Sequence, residues 1–221
     1  MIGLIGKKIG MTQIFAADNS QIGVTAIQAG PCPILMVMDK NIQLGFDLVK
    51  EKSLKKAQLG LYKKLNIAPR KVIKDLSKEA NVEYKVGDEL KVDLFTEGDF
   101  VDVSGISIGK GFAGGMKRWH WKGGPRTHGS TSHRRVGSIG SSTTPGRVFR
   151  GHHMPGHLGA KKATIQNLKI IKIDLANNLL LIEGGVPGHK NGYLVVTKAI
   201  KRKASAVGGS ASGGKKAAVK K

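Results

Sequence analysis

The sequence predicts a mainly β protein: a small barrel-like body, an inserted α+β lobe and a long irregular extension. Three observations carry that prediction. Short Ile- and Val-rich runs bounded by turn residues recur near both ends of the chain. Between residues 40 and 95 one helical pattern sits among short strands. From Val103 to Ile173 there is no Asp or Glu, while the same residues hold 13 Lys and Arg, 14 Gly and six of the seven His, and hydrophobic periodicity lapses.

Taken in order, Met1–Ile5, Ile14–Ala16, Gln21–Gln28 and Ile34–Met38 read as strands, with Asp18-Asn19-Ser20 turning between two of them. Gly3, Gly6 and Gly10 suit the tight bends of a small barrel better than a flat sheet. Leu44–Val49 is a further strand. Ser53 is placed to cap a helix running to about Leu65, with Leu54, Ala57, Leu61 and Leu65 on one face. Lys55, Lys56, Lys63 and Lys64 fall largely elsewhere, and a lysine-rich face of this kind is ordinarily solvated surface. Asn66 and Pro69 end the helix. Val86-Gly87-Asp88 is a turn, followed by strand-like alternation at Leu90, Val92 and Leu94. Phe100–Val103 is extended, and the carboxylate-free segment follows. Ile165–Asp174, the turn at Asn177-Asn178 and Leu179–Glu183 make a hairpin, and Tyr193–Thr197 is the last strand.

The chain thus divides into a body (residues 1–39, 96–107 and 165–200), a lobe (40–95), an extended loop (108–164) and a basic tail (201–221). The tail contains only Ala, Gly, Ser, Val, Lys and Arg and is expected to be disordered.

The net charge of +22 over 221 residues is unevenly placed. Residues 1–102 carry a net +2, residues 103–173 a net +13, residues 174–183 a net −2 and residues 184–221 a net +9. A segment without carboxylates cannot neutralise itself, so its counter-anion must come from outside, and a nucleic-acid backbone supplies one. The extension also has too little apolar material to offset an ordering cost of roughly 1–2 kcal/mol per residue, and is expected to fold on binding. No apolar run is long enough to cross a bilayer, and no secretory segment is expected. The lone Cys32 excludes an intrachain disulfide and fits a buried thiol in a reducing compartment.

Each constellation in the extension is tested against a rival chemistry. Gly109-Lys-Gly-Phe-Ala-Gly114 matches a dinucleotide fingerprint, but no following helix is expected, and no acid lies about 20 positions on to hold a ribose. Glycines that let RNA phosphates approach, with Lys110, Lys117 and Arg118 as counter-charges, fit better. His120, His128, His133, His152, His153 and His157 lack the carboxylate or thiolate company of a metal site and sit among 11 cations, so no metal is expected. The serines near His128 and His133 lack a carboxylate to complete a hydrolytic triad. Trp119, Trp121 and Phe149 lie among Arg and Lys, as suits stacking on unpaired bases, although either Trp could instead anchor the extension. The doublets Arg134-Arg135 and Lys161-Lys162 have no acid nearby in sequence. The expected RNA-contacting set is Lys7, Lys8, Lys110, Lys117, Arg118, Trp119, His120, Trp121, Lys122, Arg126, His128, His133, Arg134, Arg135, Arg147, Arg150, His152, His153, Lys161 and Lys162. An RNA-modifying enzyme and a histone-like duplex binder are the rival classes. The first lacks an acid–base pair and a cofactor loop, and the second would place its charge on a helix.

Several motifs in order resemble one family over about residues 1–200. Phe95, Asp102, Gly105, Ser107, Gly109-Lys110-Gly111, Gly114 and Arg118 have the spacing that marks the large-subunit ribosomal protein L-three family. The opening Gly3-Leu-Ile-Gly-Lys-Lys-Ile-Gly-Met-Thr12 is similar as well, as are Thr127-His-Gly129, Ser132-His-Arg134, Gly137-Ser-Ile-Gly140 and Thr144-Pro-Gly-Arg-Val-Phe-Arg-Gly151. So are Asn178-Leu-Leu-Leu-Ile-Glu-Gly184 and Val186-Pro-Gly188. The bacterial branch fits best. The resemblance implies a six-stranded barrel of the translation-protein type, an inserted lobe, and an extension that binds large-subunit rRNA early in assembly and approaches the peptidyl transferase centre. It also implies cytoplasmic ribosomes, neighbours L-fourteen and L-nineteen, no cofactor, no small-molecule substrate and no catalysis. The tip falls at Ser141, Ser142, Thr143 and Thr144. Thr143 stands where some bacterial members carry a methylated glutamine, so that modification is not expected. The tail after about Arg202 lies beyond the family's usual end.

Overall fold

The computed structural model describes residues 3–16, 18–79 and 82–202. The chain begins with β1 (Gly3–Phe15) and β2 (Gln21–Ala29), which form a long hairpin around the Asp18-Asn19-Ser20 turn. There the Asp18 carboxylate accepts from both the amide and the hydroxyl of Ser20. Next come β3 (Cys32–Val37), β4 (Asn41–Leu48), α1 (Lys56–Leu65), β5 (Arg70–Ser77) and β6 (Glu89–Leu90). After these follow β7 (Phe100–Ile106), β8 (Phe112–Ala113), α2 (Gly115–Trp119) and β9 (Gly156–His157). The chain closes with β10 (Lys162–Asp174), β11 (Leu179–Glu183) and β12 (Tyr193–Lys198).

Six strands form a closed ring in the order β1-β12-β7-β10-β11-β2, every pair antiparallel. Alternating residues fill it: Leu4, Ile27, Val101, Val103, Ile170, Leu180, Ile182 and Val196 have no exposed surface. Each such aliphatic side chain contributes about 1.5–3 kcal/mol relative to its exposed state. Gly3 and Gly6 serve close approach rather than bends. A Cβ on Gly3 would lie 2.3 Å from the Val196 carbonyl oxygen, and one on Gly6 2.7 Å from Ile27 Cγ2.

The second sheet, in order β5-β4-β3-β6, carries α1 and joins the same apolar core through Ile34, Ile42, Leu44, Phe46, Val92 and Phe95. From α1 only Tyr62 is buried, and its hydroxyl donates to the Arg70 carbonyl at 3.0 Å.

Several expectations are corrected. β1 is one strand, not two, because pairing with β2 continues past a register shift between Lys8 and Gly10. The strand expected at Ile34–Met38 belongs to the second sheet rather than to the body: Ile34 pairs with Leu44 and Cys32 with Leu90. Ser53 does not cap α1. It ends a 3-10 turn (Glu51–Ser53), and the helix starts after Lys55 with no side-chain cap. The alternation at Val92 and Leu94 is a 3-10 turn, and β5 was not foreseen. Because β5 lies at the sheet edge, where charged residues are tolerated, Lys71, Lys74 and Asp75 obscure its period. The Asn66 stop is confirmed by its left-handed φ of 52°. Most of the tail lies outside the described residues; Arg202, within them, places its guanidinium 4.4 Å from the centre of the Phe100 ring.

Candidate nucleic-acid interface

The extension leaves the ring between β7 and β10, whose pairing runs to Ile106 opposite Lys162. The two legs stay zipped beyond the ring. Ser107 N donates to Lys161 O at 2.9 Å, Lys110 N to Leu158 O at 2.8 Å and Leu158 N to Gly111 O at 2.9 Å, and β8 pairs with β9. At the root, the buried Asp102 carboxylate accepts from Asn167 N at 2.9 Å and Ile200 N at 3.4 Å. The one buried acid in this region therefore holds the bulge of β10 and the end of the last ring strand.

Above the zipped legs sits a neck. The Gly109–Gly114 motif is in fact followed by a helix, which corrects the sequence expectation. That helix, α2, has only five residues and ends at His120 in a left-handed conformation with φ 59°. Its side chains clasp the returning leg. Arg118 Nη1 and Trp119 Nε1 both donate to the Met154 carbonyl, at 2.6 and 2.9 Å. The Trp119 indole stacks on the His153 ring, centroids 3.9 Å apart and planes 3° from parallel, with the Arg118 guanidinium 5.0 Å from the indole centre. Trp121 packs on Gly115, where a Cβ would lie 1.8 Å from its ring. Both Trp residues thus take part in the anchor, although Trp119 remains 38% exposed. Sequence reasoning missed Met154, because its contribution is a backbone carbonyl that no residue type signals.

Beyond the neck, Gly124 N donates to His133 O at 3.2 Å, and His133 Nδ1 lies 2.9 Å from the Pro125 carbonyl. From Thr131 to Arg150 every residue is exposed. Apart from that of His133, the side-chain hydrogen bonds in that stretch are local, as from Ser138 Oγ to Gly140 O at 3.1 Å.

The expected site residues therefore separate. Lys110, Lys117, Lys122, Arg126, His128, Arg134, Arg135, Arg147, Arg150, His152, Lys161 and Lys162 are exposed along the extension. So are His120, His133 and His153, whose rings or backbones also serve the neck. Ser141, Ser142, Thr143 and Thr144 are exposed at the tip. Arg118, Trp119 and Trp121 hold the neck. Lys7 and Lys8 sit apart, on the ring, and Lys8 Nζ donates to the carbonyls of Val186 and Gly188 at 3.0 Å each. Among the described residues the ion pairs are Arg70–Glu89 at 3.9 Å and Lys198–Glu79 at 3.6 Å, both outside the extension. Among the same residues no three His, Cys, Asp or Glu side chains converge as for a metal, and no helix is long and apolar enough to cross a membrane.

A closed β body carrying a long cationic arm with no internal counter-charge defines a class: the arm-bearing nucleic-acid-binding proteins. Within that class, residues 60–178 match the family model described as Ribosomal protein L3. Relatives span nearly the whole chain. The large ribosomal subunit protein uL3 of Brachyspira pilosicoli is 48% identical over 209 residues, covering 92% of this chain and 96% of its own length. That of Geobacillus stearothermophilus is 49% identical over 211 residues, covering 92% and 98%. That of Fervidobacterium nodosum is 42% identical over 205 residues, covering 90% and 99%. The chain belongs to the ribosomal protein L3 family, in its bacterial form.

Proposed function

We propose that this protein is a structural constituent of the large ribosomal subunit that binds large-subunit rRNA directly and has no catalytic chemistry of its own. The observation that carries this proposal is the extension: 11 Lys and Arg between Gly109 and Thr164, none ion-paired among the described residues, on a segment exposed throughout its distal half. In this reading the ring is the translation-protein barrel, and Lys110, Lys117, Lys122, Arg126, Arg134, Arg135, Arg147, Arg150, Lys161 and Lys162 meet phosphates. His128, His133 and His152 meet phosphate or ribose. The distal residues take their final path only against RNA, with Ser141 to Thr144 directed toward the peptidyl transferase centre. The protein joins early in assembly, within cytoplasmic ribosomes, beside L-fourteen and L-nineteen.

Each phosphate neutralised adds roughly −0.7 to −0.9 to the slope of log K against log salt. If about half of the extension's cations make contact, the slope is about −4 to −5. Titration of transcribed bacterial large-subunit rRNA with the full chain at several KCl concentrations tests this. A slope near zero, or binding to bulk DNA as tight as to rRNA, would overturn it.

A further inference from the structure

The near-neutral first half of the chain conceals a division that the fold makes visible. Residues 48–74 hold nine Lys and Arg against the single acid Glu51, whereas residues 75–102 hold nine acids against three lysines. The two sets do not cancel. Among the described residues one ion pair joins them, Glu89 with Arg70, and six of the other acids are engaged elsewhere. Asp75 accepts from Gln43, Asp88 from Lys85 N, Glu97 from Ile173 N, Asp99 from Thr96 N and Asp102 from Asn167 N. Glu79 pairs with Lys198. Lys50, Lys52, Lys55, Lys56, Lys63 and Lys64 remain exposed without an ion pair among the described residues.

Helix α1 carries Lys55, Lys56, Lys63 and Lys64, the first two where its own stability does not favour them. Lys55 and Lys56 stand at its N-terminal end, where the macrodipole is positive, with no acid in the first turn and no side-chain cap. Tyr62 faces the core, so the opposite face presents Lys56, Gly60, Lys63 and Lys64. Gly60 is the telling residue. Glycine in a helix interior is less stable than alanine. Here no left-handed φ requires it, and a Cβ would meet nothing within 4 Å. Packing among the described residues therefore gives no reason for its presence. A glycine with lysines about one turn away on either side leaves bare helix backbone flanked by cations, the surface against which a sugar-phosphate strand can lie closely.

We infer that the Lys56–Gly60–Lys63–Lys64 face of α1 is a second RNA-backbone contact, separate from the extension. This inference rests on the rRNA-binding function proposed above and adds a site to it. The face would bind by charge and close approach rather than by base sequence.

Two variants of the full chain test it, titrated with transcribed bacterial large-subunit rRNA. Gly60→Ala is expected to raise the melting temperature by about 2–4 °C and yet weaken rRNA binding severalfold, opposite signs that a solvated face would not give. The triple variant Lys56→Gln, Lys63→Gln, Lys64→Gln is expected to make the salt slope shallower by about 2–3. Arg134→Gln with Arg135→Gln serves as the extension control. If wild type binds and the extension control weakens it while both lobe variants bind as wild type, the inference is overturned and the parent function stands. The face would then be solvated or meet a protein. If wild type itself does not bind rRNA, both fall together.

Discussion

The ring and the extension are two solutions to the same requirement, that every backbone polar group and every charge find a partner. In the ring the partners are internal: antiparallel ladders close on themselves, and Ile27, Val103, Ile170, Ile182 and Val196 are fully buried. Along Thr131 to Arg150 nothing is buried, and Arg134, Arg135, Arg147 and Arg150 make no ion pair among the described residues. Between them the neck is of mixed build, with few apolar contacts but specific hydrogen bonds to Met154 O and one aromatic stack. The comparison teaches that stability and affinity are separable here. Changes in the ring should move one, changes in the distal arm the other, and changes in the neck both.

The sharpest way to break that separation is to remove the distal charges. Replacing Arg134, Arg135, Arg147 and Arg150 by Gln should lower rRNA affinity by about two to three orders of magnitude at physiological salt and make the salt slope shallower by about 3–4. The melting temperature should stay within about 2 °C, because exposed, unpaired side chains contribute little to folding. Binding assays and calorimetry on one preparation check both halves. A large fall in melting temperature would show that the arm is part of the cooperative unit.

The converse test enters the ring. Ile182 is fully buried between Ile170 and Thr25 in the register of β10, β11 and β2. Ile182→Ala should cost about 2–5 kcal/mol of stability through lost burial and the cavity left behind. At temperatures where the variant remains folded, rRNA affinity should be unchanged. Urea unfolding gives the first number and titration the second.

How much of this was legible beforehand follows the same division. Ring strands announce themselves by alternation and turn residues, as in the β10–β11 hairpin around Asn177 and Asn178, where Asn178 takes a φ of 51°. The extension was legible from what it lacks, since carboxylates are absent whatever path the chain takes. Strand β5 was hidden because an edge position admits charges that erase the period. The start of α1 was misread because Ser53 is chemically a good cap but lies one 3-10 turn too early. The neck was the least legible part. Nothing in the residue type of Trp119 or Trp121 says whether an indole faces RNA or the chain, and the Met154 carbonyl leaves no mark in sequence at all.

The neck is therefore where the third test belongs. Trp119→Ala removes the stack on His153 and one donor to Met154 O, while Arg118 keeps the other. A loss of about 1–2 kcal/mol is expected, confined to local opening. Amide exchange at Lys110 and Leu158, whose N–H groups pair across the two legs, should speed up while Ile170 and Ile182 remain protected. Affinity for rRNA should fall about tenfold, less than for the distal charge variant. Trp119→Phe, which keeps a ring to stack, should recover most of the exchange protection. If Trp119→Ala left exchange unchanged but abolished binding, the indole would be a base-stacking residue rather than an anchor.

The smallest effect expected comes from the hairpin farthest in character from the arm. Asp174 ends β10 and accepts from Ala176 N at 3.0 Å, Asn177 N at 3.3 Å and Asn177 Nδ2 at 2.8 Å. The Asn177 side-chain bond, then the backbone bonds, hold its carboxyl below its ordinary value of 3.8. A pKa depressed in the folded state means that the ionised carboxylate favours folding. That contribution is complete above pH 3.8 and is lost as pH falls through the lower folded value. Asp174→Asn should therefore lower the melting temperature slightly at pH 7, and the gap from wild type should close as the pH falls through the depressed folded value. Because the group is solvent-exposed, the effect should be small beside that of Ile182→Ala and leave rRNA affinity untouched. A gap that persisted unchanged into acid would place the carboxylate's contribution in its shape as a turn acceptor rather than in its charge.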